Sequence, residues 1–269
     1  MISTQPSSDL IQRSITAIIF GGVMIAGIFI SHTSFVILIG VIQCLCLYEF
    51  YKISFNDSNK ILIYSGLLMG IFIYVLIQYF PEKYFLILPS LFLLGILVLF
   101  DKKAGQFELF MWCIMGILYI SISLSLFPLI KISGHYNQWL IMLIIAIAWA
   151  NDVGAYLAGR KYGNTKLLEH ISPKKSWEGF ITGLVIAITL SLIFNNYIQL
   201  ISWQDSIIIA ILIGVIGTIG DLIESMLKRN FMIKDSSSLL PGHGGLLDRF
   251  DTIIYALPFI YAYFRLFIS

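Results

Sequence analysis

The residues equipped for chemistry crowd into the second half of this chain. The stretch "KDSSSLLPGHGGLLDRFD", Lys234 to Asp251, gathers two basic residues, three aspartates, a histidine and a Gly-Gly pair. Gly242, Gly244 and Gly245 let a backbone approach a ligand closely and offer N–H groups, and Asp248 and Asp251 stand one helical turn apart. Just upstream, Asp221, Glu224, Ser225 and Lys228 fall at i, i+3, i+4 and i+7, the spacing of one helix face. Carboxylates make a hard-oxygen site, and Asp221 with Asp248, from adjacent helix ends, suits a Mg²⁺ shared with substrate phosphates and water. A plainer account pairs Asp221 with Lys228 along the helix and sets Asp248 and Asp251 against a helix dipole. It leaves His243, Lys234 and the glycines without a role.

A second constellation lies in "NDVGAYLAGRKYGNTKLLEHISPKKSWEGF", Asn151 to Phe180. Arg160 and Lys161 follow the end of one helix. Ser172 and Pro173 suit the cap and first residue of the next, which puts Lys174 and Lys175 in its first turn. Cations there oppose the macrodipole, a misfit that a polyphosphate over the helix end would relieve. The alternative is that the lysines hold the loop at an anionic membrane surface. Together the cations around Asp152, Asp221, Asp248 and Asp251 form an inventory for metal-assisted chemistry on a polyphosphate. The sequence carries no Walker motif, kinase loop or Gly-x-Gly-x-x-Gly.

The elements that must position these groups are apolar. The 269 residues are 58% hydrophobic and 12% charged, with a mean hydropathy of +0.90. Backbone in hydrocarbon must satisfy its hydrogen bonds internally, and the apolar runs are continuous, not alternating, so helices are expected. The fold class is all-α, a polytopic membrane bundle forming a single domain over 1–269. Nine runs qualify as spans: 15–31, 34–51, 61–80, 84–100, 108–130, 138–158, 177–195, 205–227 and 250–268. With nine, all of the 17 Lys and Arg residues except Lys83, Lys131 and Arg265 fall on the side of the amino terminus, which is therefore expected to be cytoplasmic. Residues 1–137 are expected to be scaffold, with Glu49 and Asp101 as interfacial groups near the cytoplasmic helix ends. Residues 138–269 hold the intramembrane acids and the two long cytoplasmic loops, and are expected to be catalytic. Cys44, Cys46 and Cys113 lie in apolar runs as inert thiols, and the first helix is expected to be retained.

The run "SMLKRNFMIKDSSSLLPGHGGLLDRFD", Ser225 to Asp251, resembles the signature of the phosphatidate cytidylyltransferases. "SPKKSWEG" and "AYLAGRKYG" are similar to that family's other cytoplasmic motif, so the motif resemblance covers about 151–251. Ser176 stands where the family usually has threonine, Tyr162 where phenylalanine is common, and Asn164 where a lysine is expected. The resemblance implies the conversion of CTP and phosphatidic acid to CDP-diacylglycerol and pyrophosphate for phospholipid synthesis, with Mg²⁺ required and a second cation left open. In that reaction Asp221 and Asp248 would hold the metal, with Asp152 and Asp251 as supporting or second-metal carboxylates. Lys174, Lys175, Lys228 and Arg229 would neutralise the phosphates of CTP and lipid. Lys234 and Arg249 would offset the leaving pyrophosphate, while His243, Gly244 and Gly245 donate hydrogen bonds and Arg160 and Ser225 contact substrate. The implied partners are CTP, phosphatidic acid and the bilayer, with no nucleic acid and a homodimer left open. The implied location is the cell's inner (plasma) membrane, multi-pass, with the site facing the cytoplasm. A CTP-dependent lipid kinase, attacking the γ-phosphorus, is the second enzyme reading. A transporter is disfavoured, because its charges would reach both faces and both halves.

Overall fold

The computed structural model describes residues 6–55, 60–99, 106–242 and 244–268. Asp101 and His243 lie outside the described residues. Helix α1 (Pro6–Ile30) opens the chain. Among the described residues, seven helices are long and apolar enough to cross a membrane. They are α2 (His32–Phe55), α3 (Lys60–Tyr79), α5 (Phe107–Leu129), α6 (Gln138–Tyr162), α7 (Trp177–Ile198), α8 (Trp203–Asn230) and α9 (Leu247–Ile268). An all-α membrane bundle is therefore the architecture. The expected run at 84–100 forms a shorter helix, and the run at 15–31 falls on the 25-residue α1. The apolar part of α1 is Ser14–Ile30, and α4 (Ile87–Leu99) has 13 residues. The physical reason at α4 is local: a 3₁₀ segment, Pro81–Leu86, precedes it, with Pro81 at its start and Lys83 at a non-helical φ of −104° and ψ of 17°.

Two compact units make up the chain. The first consists of Met1–Ser125 with Asp235–Arg249, and the second of Leu126–Lys234 with Phe250–Ser269. The first unit packs around α2, whose Phe35, Ile39, Leu47, Phe50 and Tyr51 are buried. The Tyr51 hydroxyl donates to the Cys113 carbonyl at 2.8 Å, and Gly66 and Gly116 lie where any side chain would run into the Tyr51 ring. The buried Gln43 amide is paired here: its Nε2 donates to the Gly70 carbonyl at 2.9 Å.

The second unit is built on the pairing of α6 with α7. A Cβ on Gly179 would lie 2.7 Å from the Ala155 carbonyl, and one on Gly183 would lie 2.7 Å from the Asn151 carbonyl. Small residues thus let the two backbones approach closely, the usual device between helices in lipid. Between α6 and α7 the chain forms an antiparallel hairpin of β1 (Lys166–Leu168) and β2 (Ser172–Ser176), with Lys166 opposite Ser176 and Leu168 opposite Ser172. This corrects the expected helix start at Ser172. Pro173 disfavours a helical conformation at Ser172, and β2 pairs with β1 instead. The helix begins one turn later, where the Ser176 hydroxyl caps it by accepting from Gly179 N at 3.2 Å. Glu178 fastens the hairpin to that cap by accepting from Thr165 N at 3.0 Å.

Candidate active site

In the second unit the hairpin, α6, α7 and α8 surround a cavity of about 580 Å³, within the range of small-molecule sites. Asp152 and Arg160 come from α6, Lys174 and Lys175 from β2, and Asp221 from α8. Lys174 and Lys175 lie on an extended strand, so the opposed-dipole argument for them falls away. The strand alternates its side chains, leaving Lys174 exposed and Lys175 half-buried. Lys175 Nζ meets Asp221 Oδ2 at 2.5 Å. Asp221 thus takes its ammonium partner from β2, while Lys228 pairs one turn back with Glu224 at 3.1 Å. The i to i+7 pairing of Asp221 with Lys228 is not what the helix adopts.

Behind Asp221 the carboxylates multiply. Ser225 Oγ donates to Asp221 Oδ1 at 3.3 Å. Asp152 accepts from Asn151 Nδ2 at 3.3 Å and from Thr252 Oγ1 at 3.4 Å. Asp251 is buried beside Glu224, and both Asp152 and Asp251 are within electrostatic reach of Asp221. Among the described residues the acids Asp152, Asp221, Glu224 and Asp251 lie together, with the Lys175 ammonium on Asp221 and the Lys228 ammonium on Glu224. The Asn151 Oδ1 is buried against Gly183 and Gly214 and has no hydrogen-bond partner among the described residues. A divalent cation with phosphate ligands fits this donor set, since Mg²⁺ uses one or two carboxylates and completes its shell with phosphate and water. Among the described residues, no three His, Cys, Asp or Glu groups converge closely enough to hold a metal by themselves.

In the second unit Arg229 and Lys234 are exposed, and Arg229 Nη1 donates to the Ile233 carbonyl at 3.4 Å. In the first unit Gly244 and Gly245 belong to the loop ahead of α9, and Asp248 and Arg249 to the first turn of that helix. Asp248 braces that loop: its Oδ2 accepts from Gly245 N at 2.9 Å, Ser236 N at 3.0 Å and Ser236 Oγ at 3.1 Å. The Gly245 N–H is therefore committed to Asp248. Gly244 takes a φ of +81°, which favours glycine, and its carbonyl accepts from Leu240 N at 2.9 Å.

Sequence reasoning missed Glu49. It is 3% exposed and accepts four hydrogen bonds from residues 236–247. The signal was present: a lone acid inside an apolar run calls for partners, the same inference applied to Asp152 and Asp221. Asn151 and Thr252 carry no such signal, because their types are ordinary in membrane helices.

Comparison with known proteins agrees with these motifs. A model described as the cytidylyltransferase family matches residues 11–267. A phosphatidate cytidylyltransferase of Bacillus subtilis (strain 168) is 30% identical, over 96% of this chain and 99% of its own length. One from Rickettsia bellii (strain RML369-C) is 35% identical over 77% of this chain and 92% of its own. One from Haemophilus influenzae (strain ATCC 51907 / DSM 11121 / KW20 / Rd) is 42% identical over 50% of this chain and 48% of its own.

Proposed function

This chain belongs to the cytidylyltransferase family, and from that membership we propose that it transfers CMP from CTP to phosphatidic acid, giving CDP-diacylglycerol and pyrophosphate. The observation that carries the reading is the charged cavity of the second unit, where Lys175 and Asp221 meet beside Arg160 and Lys174. An oxygen of the lipid phosphate attacks the α-phosphorus of CTP. A new P–O bond forms, the bond to the β-phosphate oxygen breaks, and pyrophosphate leaves with the electron pair. The lipid phosphate is already ionised at neutral pH, so no general base is needed and catalysis rests on positioning and charge neutralisation.

Lys175 is half-buried and already holds an anion, the Asp221 carboxylate. In the proposed reaction it exchanges that partner for a nucleotide phosphate, with Lys174 and Arg160 contributing from the cavity wall. Lys228 and Arg229 serve the lipid phosphate, and Ser225 orients Asp221. Asp221, with Asp152 and Asp251 beside it, would hold Mg²⁺. When bound, that ion supplies charge neutralisation to the triphosphate. A metal role for Asp248 is a separate proposal, as are contacts of Lys234, Arg249, His243 and the Gly244-Gly245 backbone with substrate. The distribution of Lys and Arg supports a cytoplasmic site in a multi-pass protein of the cell membrane.

The experiment is incubation of membranes holding the protein with CTP labelled at the α-phosphorus, with and without phosphatidic acid. Label should enter lipid only when phosphatidic acid is supplied. Label confined to soluble nucleotide would overturn the proposal.

A further inference from the structure

The buried carboxylate of Glu49 is the most heavily hydrogen-bonded acid in the first unit that the reaction itself does not use. Its Oε1 accepts from Ser237 Oγ at 2.5 Å and from Leu246 N at 3.0 Å. Its Oε2 accepts from Ser236 Oγ at 3.0 Å and from Leu247 N at 2.8 Å. Helix α2 thus reaches both ends of the signature loop, across almost 200 residues of sequence. The fit is tight on the third side, where a side chain on Gly245 would collide with Ser236 Oγ and Glu49 Oε2. Ser236 is the link to chemistry, since its hydroxyl is within hydrogen-bond distance of both Glu49 Oε2, at 3.0 Å, and Asp248 Oδ2, at 3.1 Å.

We propose that Glu49 is a positioning residue: it fixes the loop from Ser236 to Leu247 and, through the Ser236 hydroxyl, the orientation of the Asp248 carboxylate. The inference rests on the proposed function for its catalytic consequence, but not for its structural one. One backbone N–H on each oxygen, from Leu246 and Leu247, requires an acceptor on both sides, which a carboxylate supplies. An amide at this position presents a donor on one side whichever way it is turned. A serine hydroxyl can reverse and accept from that amide, but a backbone N–H cannot, so either Leu246 or Leu247 loses its acceptor. Hydrogen bonds to a charged acceptor are the strong ones, so the loss falls where the loop is held hardest.

The test compares Glu49→Gln and Ser236→Ala with wild type, with Glu82→Gln, an exposed acid remote from the loop in sequence, as control. Two readouts are taken from the full-length protein in detergent or bilayer. Hydrogen–deuterium exchange of peptides covering 235–249 should speed up at least tenfold in Glu49→Gln, with α2 and α3 unchanged. The rate of CTP-dependent lipid labelling should show kcat at least tenfold lower with KM for CTP within about twofold. Should Glu49→Gln fail to insert, Ser236→Ala carries the same expectation for exchange near Asp248 and for the kcat-against-KM split. Unchanged exchange and unchanged kcat in a folded variant would overturn the proposal, and so would a loss confined to KM. Faster loop exchange in a protein whose wild type labels no lipid would instead overturn the proposed function and leave the positioning role standing.

Discussion

Replacing Lys175 with methionine removes a positive charge from a cluster of carboxylates. Lys175 Nζ lies 2.5 Å from Asp221 Oδ2, and the two side chains are 24% and 30% exposed. Two unit charges about 4 Å apart interact by about 4 kcal/mol at an effective dielectric of about 20. Exposed pairs are worth about 0–1 kcal/mol, and this partly exposed pair falls between, at about 2 kcal/mol. The substitution then acts in opposite directions on the two ligands. Toward CTP it deletes a charge-assisted hydrogen bond of about 1.5–3 kcal/mol, roughly a 10- to 150-fold loss in kcat/KM. Toward the divalent ion it frees Asp221 from a competing ammonium, and about 2 kcal/mol corresponds to a half-saturating Mg²⁺ lower by roughly tenfold or more. The assay is initial-rate transfer of α-labelled CMP across matrices of CTP and Mg²⁺ concentration. Lys175→Arg, which keeps the charge, should fall between wild type and Lys175→Met. A Lys175→Met protein with kcat/KM within twofold of wild type, or one whose Mg²⁺ requirement rises, would refute the reasoning.

Three further outcomes follow from other parts of the structure. Gly183→Ala forces a methyl against the Asn151 backbone carbonyl; an overpacked helix contact costs about 1–3 kcal/mol, so the thermal midpoint in detergent should fall by several degrees. Asp248→Asn loosens the loop held through Ser236 and Gly245 and should abolish transfer while leaving membrane insertion intact. Lys52→Gln, in the first unit away from the signature loop in sequence, should change the rate little.

Much of the helical architecture was legible because a span announces itself by length. Twenty continuous apolar residues have few other solutions, and the long helices from α2 to α9 follow the expected runs. The hairpin was not legible, because Ser172-Pro173 satisfies the local rule for a helix start and only pairing with residues 166–168 decides otherwise. A cap and a strand both suit a serine in an extended conformation, and Ser176 takes the cap. The site was half legible. The acids and lysines were identifiable by their cost in lipid, but their partners were not. Asp221 binds the ammonium of Lys175, 46 residues earlier, and no periodicity carries that information. Glu49 shows the same limit more sharply. Its burial cost was visible in the sequence, yet its partners lie 187 to 198 residues away, so an interfacial position looked sufficient. Residues 235–249 belong to the unit of the first helices, and those distant bonds join them to α2.

The central claim, nucleotidyl transfer to a lipid phosphate, is tested most directly with CTP labelled in parallel at the α- and the γ-phosphorus. Membranes holding the protein, phosphatidic acid and Mg²⁺ should move the α-label into lipid in equal proportion to pyrophosphate formed. The γ-label should appear only in that pyrophosphate. Transfer of the γ-label to lipid with the α-label left in CDP would contradict the account and make the protein a CTP-dependent lipid kinase.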